Sequence, residues 1–522
     1  MSAPASDGPS IVVKHHGLIT ASLMLATIMQ VLDTTIANVA LPSMRADLGA
    51  SSDTINWVLT SYIVASAIAT PLTGWFSERF GRKEIFIGSV IGFVLSSMLC
   101  GIAWSLEAMV VFRMLQGVFG AAIVPLSQTF LLDINPREKH GQAMAIWGAG
   151  IMVGPIIGPT LGGYLTDTIN WRWVFYINVP LGAVALLGCI AYLPNAARRI
   201  RRFDFIGFAA LAIGVGALQL LLDRGSEVDW FNAAEIWIEL AVSISGFWVF
   251  IIWILGAAQP FLEPRMFLDR NFATGLVFIF VVGIILLSSL ALLPPMLSNI
   301  FNYPIVTTGL VMAPRGVGTM ITMVLAGKLV RIIDPRKLVV AGLLLAAWSL
   351  HIMTGFGPQM DSTLIIVSGL VQGLGLGLVF VPLSTVAFAT IEARYRGDAT
   401  ALFSLVRNIG SSIGISLVTL LLTRNTQINH TDLVASISLL DPEFSSLANG
   451  SLSGLMHSLT LSRGEGAFWS FLNQLVTQQA MMISYIDDFK LLTWITLSAI
   501  PLALLLRKPT AAPPGGLPAA AD

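Results

Sequence analysis

One aspartate and three arginines stand in stretches that are otherwise apolar: Asp33, Arg113, Arg315 and Arg407. A charged Asp or Arg at the centre of a bilayer costs about 2.5–3.5 kcal/mol even on a lenient scale, so a chain that keeps such groups must pair, neutralise or hydrate them. Asp33 lies in Leu32-Asp33-Thr34-Thr35-Ile36-Ala37-Asn38. It is about 15 residues into an apolar run, roughly 22 Å along a helix, past the midplane of a span. A protonated Asp escapes much of the cost. Its charge would then follow whether it faces water, as a proton carrier requires; the alternative is an Asp paired structurally or bonded to nearby Thr and Asn groups. Arg113 must also have a partner, and Asp33 or the Gln116 amide can supply one. Arg315 and Arg407 either face an anionic or carboxylate cargo or are satisfied by backbone carbonyls. Asp487 and Asp488 read as interfacial or capping groups at the outer start of a span. Glu239 reads as a span-edge residue or a second titrating site.

Other chemistries find no residues to carry them. The two cysteines, Cys100 and Cys189, sit in apolar runs and form no paired motif. The six histidines have no metal-ligand spacing with Cys, Asp or Glu. The Gly327-Lys328 pair is followed by Leu329, so no phosphate-binding GK[ST] loop exists. No cofactor and no metal are expected, and the chain does not read as an enzyme. Formal charge is zero, with 29 basic and 29 acidic residues, which argues against a nucleic-acid partner.

The elements that hold these groups must be membrane helices. Hydrophobic residues make up 55% of the 522 and charged residues 11%, against about 25% charged in soluble domains. So few charges cannot cover a soluble surface of this size. A span needs about 20 apolar residues. Such runs fall near 18–41, 55–77, 84–103, 107–131, 142–165, 174–193, 205–222, 234–256, 272–296, 307–329, 338–356, 362–390, 398–422 and 484–506, fourteen in all. Residues 1–16 are polar and the first run is long enough to remain a helix, so no cleavable leader is expected. With the N-terminus in the cytoplasm, 20 basic residues fall in inner loops and tails and 6 in outer loops. That asymmetry places both termini inside.

The chain repeats itself. Gln116-Gly117 and Gly141 recur 256 residues later as Gln372-Gly373 and Gly397, and Gly154 and Gly158 recur as Gly410 and Gly414. Pro125-Leu126-Ser127 recurs as Pro382-Leu383-Ser384, one residue out of phase. Spans 1–6 and 9–14 therefore read as two copies of a six-helix unit, with spans 7 and 8 inserted. Parallel halves around a midplane site are one transporter architecture, and rocking of the halves gives alternating access.

Four motifs carry a family resemblance. Gly74-Trp-Phe-Ser-Glu78-Arg79-Phe-Gly81-Arg82-Lys83, between spans 2 and 3, resembles the signature loop of the major facilitator superfamily, with Glu78 in place of the usual Asp. An acidic group facing basic residues and a neighbouring helix end can lock and release a gate; a loop that only fixes topology is the plainer reading. In the second copy, Gly327 to Lys337, Arg331 occupies the acidic position, which implies an asymmetric lock. Span 5 carries Gly148, Gly150, Gly154-Pro155, Gly158-Pro159 and Gly162-Gly163. This array resembles the antiporter motif of the superfamily; glycines four apart let helices approach and prolines bend them. Ser411 stands where Pro155 would repeat, so the second copy should bend less. Leu32-Asp33-Thr34-Thr35-Ile36-Ala37-Asn38-Val39-Ala40-Leu41-Pro42 is similar to a stretch of the fourteen-span drug–proton antiporters of the EmrB/QacA type, a resemblance that implies proton coupling at Asp33. Arg113-xx-Gln116-Gly117 resembles the superfamily pattern of a buried Arg tied to proton transfer, and Gly369 replaces that Arg in the repeat. Arg407-Asn408-Ile409-Gly410 resembles a further stretch of the fourteen-span family.

The resemblance covers about residues 17–507. It implies an all-α integral membrane protein with the major facilitator fold: 1–17 an inner tail, 18–193 one six-helix bundle, 194–271 a basic linker with two inserted helices, 272–506 the second bundle, and 507–522 an inner tail. The segment 423–483 reads as a long outer loop, with Phe468 to Ile483 an amphipathic helix. That loop, Leu222-Asp223-Arg224-Gly225 with Asp229-Trp230-Phe231, and Trp171-Arg172-Trp173 with Asn178 and Pro180 resemble the EmrB branch. The branch implies a pump of the bacterial inner membrane that works with a periplasmic adaptor and an outer-membrane channel. The expected activity is proton-driven export of small hydrophobic or amphiphilic compounds. A proton-coupled importer on the same fold is the alternative, against which the span 5 array argues.

Overall fold

A computed structural model describes residues 11, 13–51, 54–195, 198, 202–436 and 466–506. Most of the N-terminal tail, the C-terminal tail, part of the basic linker (Arg199 and Arg201 included) and the centre of the expected outer loop lie outside the described residues. In chain order the helices are α1 (His16–Asp47), α2 (Trp57–Ala69), α3 (Leu72–Phe80), α4 (Arg82–Gly101), α5 (Leu106–Gly120), α6 (Ile123–Ile134), α7 (His140–Ile151), α8 (Val153–Thr168), α9 (Trp173–Tyr176), α10 (Asn178–Tyr192), α11 (Phe205–Arg224), α12 (Ala234–Gly256), α13 (Arg270–Asn299), α14 (Ile305–Leu329), α15 (Pro335–Met353), α16 (Ser362–Ala389), α17 (Arg396–Ser436) and α18 (Gly466–Ala499). Among the described residues thirteen helical segments are long and apolar enough to cross a membrane, and the pair α2–α3, bent by 57°, makes a fourteenth if it is taken as one span.

The breaks have sequence causes. Pro71 has no amide to continue α2, and α3 restarts after it. Pro125 removes the bond that would reach Ala121, where α5 gives way to α6. Pro155 does the same beyond Ile151, separating α7 from α8, and Pro159 lies inside α8. In the second half Ser411 replaces Pro155 and α17 runs unbroken over 41 residues. The weaker bend expected there is an unbroken helix.

α1 to α10 form one bundle and α13 to α18 the other. The inserted hairpin packs α11 against α2 of the first bundle and α17 of the second. α12 crosses α11 where Gly246 and Gly214 meet, and turns Trp248, Ile252 and Leu255 outward. Apolar side chains exposed like these are what a lipid-facing helix shows.

The last outer segment differs from expectation. Residues 423–436 continue α17, and α18 already begins at Gly466. Hydropathy marks where lipid ends, not where a helix ends; neither 423–436 nor 467–483 contains a Gly or Pro breaker. Asp487 and Asp488 therefore lie inside α18 instead of capping its start. Asp488 is buried, with no hydrogen-bond or ion-pair partner among the described residues, whereas Asp487 is only half-buried and pairs with Lys490 at 3.0 Å.

Candidate functional site

Asp33 is sealed inside the first bundle, 1% exposed, with donors converging on both oxygens. Arg113 Nη1 donates to Oδ2 at 2.7 Å; Gln116 Nε2 and Asn178 Nδ2 donate to Oδ1 at 2.9 and 2.7 Å. Arg113 is held in turn by the Val58 carbonyl at 3.1 Å, the Gln116 carbonyl oxygen at 2.7 Å and the Tyr62 ring 4.4 Å beneath its guanidinium. Asn178 also donates to Ser97 Oγ at 2.9 Å. Three N–H donors suit an ionised carboxylate, which only accepts. In this conformation Arg113 offsets the cost of a carboxylate charge at this buried position.

The glycine array positions α1 for this node. A Cβ on Gly154 would lie 2.8 Å from Val31 Cγ1 and 3.1 Å from the Leu32 amide, one on Gly158 would overlap the Thr35 side chain, and one on Gly162 would lie 3.1 Å from Ile36 Cγ2. Gly150 meets Met24 in the same way. The stripe thus seats α7–α8 directly along the turns that carry Asp33, with Pro155 on the cavity side and Gly163 buried. Gly158→Val should cut transport about tenfold or more by pushing the helices apart, whereas Gly88→Val, with open space around it, should leave transport intact. Initial efflux rates normalised to membrane-inserted protein would check this; equal rates for the two variants would contradict the packing role.

A cavity of about 270 Å³ lies between the bundles, lined from α1, α6, α7, α8, α13, α14, α16 and α17 by largely apolar side chains such as Val31, Met152, Leu286 and Met323. Thr34 and Thr35 face it; Asp33 does not. Trp147 and Phe380 stack at 6.1 Å in its wall, one from each bundle. Arg315 and Arg407 are its only charged lining residues among the described residues.

Toward the face carrying the signature loop, the bundles are tied together. Asp133, at the end of α6, accepts from Arg82 of the loop and from Arg396 Nη1 at 2.8 Å, the latter across the bundle interface. Thr129 and Thr400 hydroxyls meet across it at 2.8 Å, and Arg331 reaches Gln142 at 3.3 Å. Gly74 packs so closely on Asp398 that a Cβ would overlap its carboxylate. Gly81, at φ 106°, makes the left-handed turn into α4 that a side chain disfavours. Lys83 is anchored on the Ile190 carbonyl at 3.0 Å, and Arg79 is exposed. The carboxylate that binds Arg82 is thus Asp133; Glu78 is buried in α3.

The Major Facilitator Superfamily model matches residues 23–415. The chain belongs to this superfamily. It is 37% identical over 502 residues to the multidrug export protein EmrB of Haemophilus influenzae, covering 96% of each chain. It is 33% identical over 500 residues to the fatty acid resistance protein FarB of Neisseria gonorrhoeae, covering 95% of this chain and 97% of that one. It therefore falls in the EmrB/QacA family and is a multi-pass membrane transporter, not an enzyme. The human organic anion transporter MFSD10 shares the fold, with a TM-score of 0.59 at 15% identity over 92% of this chain and 99% of that one.

Within this facilitator fold, the structure brings Asp33, Arg113 and Gln116 into one node and puts Arg315 and Arg407 on a cavity wall. Glu239 stays apart, on the second turn of α12, where Arg224 reaches it at 3.5 Å and Glu235 at 3.0 Å. Two participants carried no site assignment from sequence. Asn178 is a polar residue opening an apolar span, and Asp133 sits at the end of span 4; neither side chain reveals its partner without the packing.

Proposed function

We propose that this chain is a proton-coupled antiporter that exports small hydrophobic or amphiphilic compounds across the bacterial inner membrane. The observation that carries the reading is a carboxylate held by Arg113 and followed directly by Thr34 and Thr35, which line the cavity. Proton arrival at Asp33 would release Arg113 and loosen α1 from α5. α1 also carries part of the cavity wall, so the same event would change the cavity. Proton and cargo would thereby compete for one helix, as antiport requires. Each charge moved inward gains about 2.3 kcal/mol per 100 mV. The name of the EmrB relative, a multidrug export protein, and the apolar lining with Met side chains, which suit varied cargo, support export of mixed substrates.

With both termini inside, as the basic loops favour, α17 and α18 extend outward beyond their apolar stretches. His430 and Asn473 join them at 2.9 Å, and Asn429 and Ser484 at 3.1 Å. This paired helical projection is the surface we assign to a periplasmic adaptor that continues to an outer-membrane channel. In cells, loss of the protein should raise intracellular accumulation of a fluorescent hydrophobic dye, and a protonophore should erase the difference. Lower accumulation on loss would instead identify an importer.

A further inference from the structure

The second bundle contains a counterpart of the Asp33 node with its acid missing. Gln116 and Gln372 are 256 residues apart, as are Asp33 and Ser289. The counterparts meet in the same way: Gln116 Nε2 donates to Asp33, and Gln372 Nε2 donates to Ser289 Oγ at 3.3 Å. Gly117 packs on the Tyr62 carbonyl and Gly373 on the Arg315 carbonyl, so Arg315 stands where the first bundle has Tyr62. The cation has moved off the counterpart of α5, α16, where Gly369 stands in place of Arg113, and onto α14.

What it lacks is an anion. Arg315 is 5% exposed. Its Nη2 donates to Ser289 Oγ and the Leu286 carbonyl, both at 3.0 Å, and its Nη1 has no hydrogen-bond partner among the described residues. Arg407 is half-buried, and no hydrogen bond or ion pair reaches its guanidinium among the described residues. Both line the cavity, and among the described residues no Asp or Glu lines it with them. A buried guanidinium with a free donor edge is costly unless an acceptor arrives, and a carboxylate is the acceptor whose planar geometry fits it. The apolar remainder of the wall suits an alkyl or aryl tail.

We propose that the cavity takes an amphiphile bearing one carboxylate, and that this group completes the second node by accepting from Arg315, with Arg407 adding charge complementarity. The proposal deepens the export reading, because it takes the cavity as the transport site. A neutral cargo leaves Arg315 uncompensated, and a cationic cargo meets two like charges.

The test is binding of octanoate and octan-1-ol to the full-length protein in nanodiscs by titration calorimetry. Octanoate should bind about tenfold or more tightly than the alcohol. Arg315→Gln should bring the ratio close to one. Ser289→Asp, which installs an internal carboxylate beside Arg315, should do the same and serves if Arg315→Gln does not fold. Arg265→Gln, at an exposed arginine, should keep the ratio. Equal binding by the wild type, or a preference surviving both cavity substitutions, would overturn the proposal. Protonophore-sensitive efflux of a neutral dye would persist in that case, so failure here is distinguishable from failure of the export reading.

Discussion

Asp33→Asn should abolish proton-driven efflux, with rates at background, and should also lower thermal stability. The substitution leaves the Arg113 guanidinium, 1% exposed, without its counter-charge. Removing one partner of a buried ion pair costs about 3–5 kcal/mol, most of it for the stranded charge. Stability and coupling can be separated. The double variant Asp33→Asn with Arg113→Gln removes both charges and should regain much of the lost stability while remaining inactive. Melting temperature in detergent and dye efflux in energised vesicles read the two quantities. If the double variant pumps at the wild-type rate under protonophore control, the node is structural, and coupling resides elsewhere, with buried Asp488 the next carboxylate to examine.

Asp133→Asn should cut transport about tenfold or more by opening the face that carries the signature loop. Asp133 pairs with both Arg82 and Arg396, and the second bond crosses between the bundles. Without it both guanidiniums lose the carboxylate they share, and the Leu132 carbonyl, which also accepts from Arg396 at 3.2 Å, brings no charge to replace it. Thr129 and Thr400 report the gap directly, because their hydroxyls touch at 2.8 Å. With Thr129→Cys and Thr400→Cys introduced as a pair, cross-linking should be efficient in the otherwise native protein and fall several-fold when Asp133→Asn is added. Unchanged cross-linking would show that the face is held by apolar packing and that the carboxylate is not its lock.

The spans were legible because lipid demands long apolar helices, a strong constraint on sequence. Their continuation was not: α17 runs through Thr423-Arg424-Asn425, where hydropathy fails but helix formation does not. Pro155 and Ser411 gave the contrast between a broken span and an unbroken one, because a proline acts locally on its own backbone. Asp33 and Arg113 could be picked out singly, as charges in apolar runs. Their pairing was one of two options open from sequence, and Asn178 as third donor required the packed bundle. The gate shows the same limit. The signature loop announced itself through its ten-residue pattern, yet the acid that binds Arg82 comes from 51 residues downstream. Charge complementarity between distant segments leaves no local pattern. That Arg315 stands where the first bundle has Tyr62 was visible only once Gly373 and Gly117 could be compared by what each packs against.

Protons moving in should drive cargo out through this chain alone. Purified protein in liposomes, loaded with pH-buffered medium and given an imposed proton gradient, tests it most directly. Cargo should accumulate in the compartment from which protons leave, and dissipating the gradient should stop it. Cargo moving in the same direction as the protons, or at a rate indifferent to the gradient, would contradict antiport.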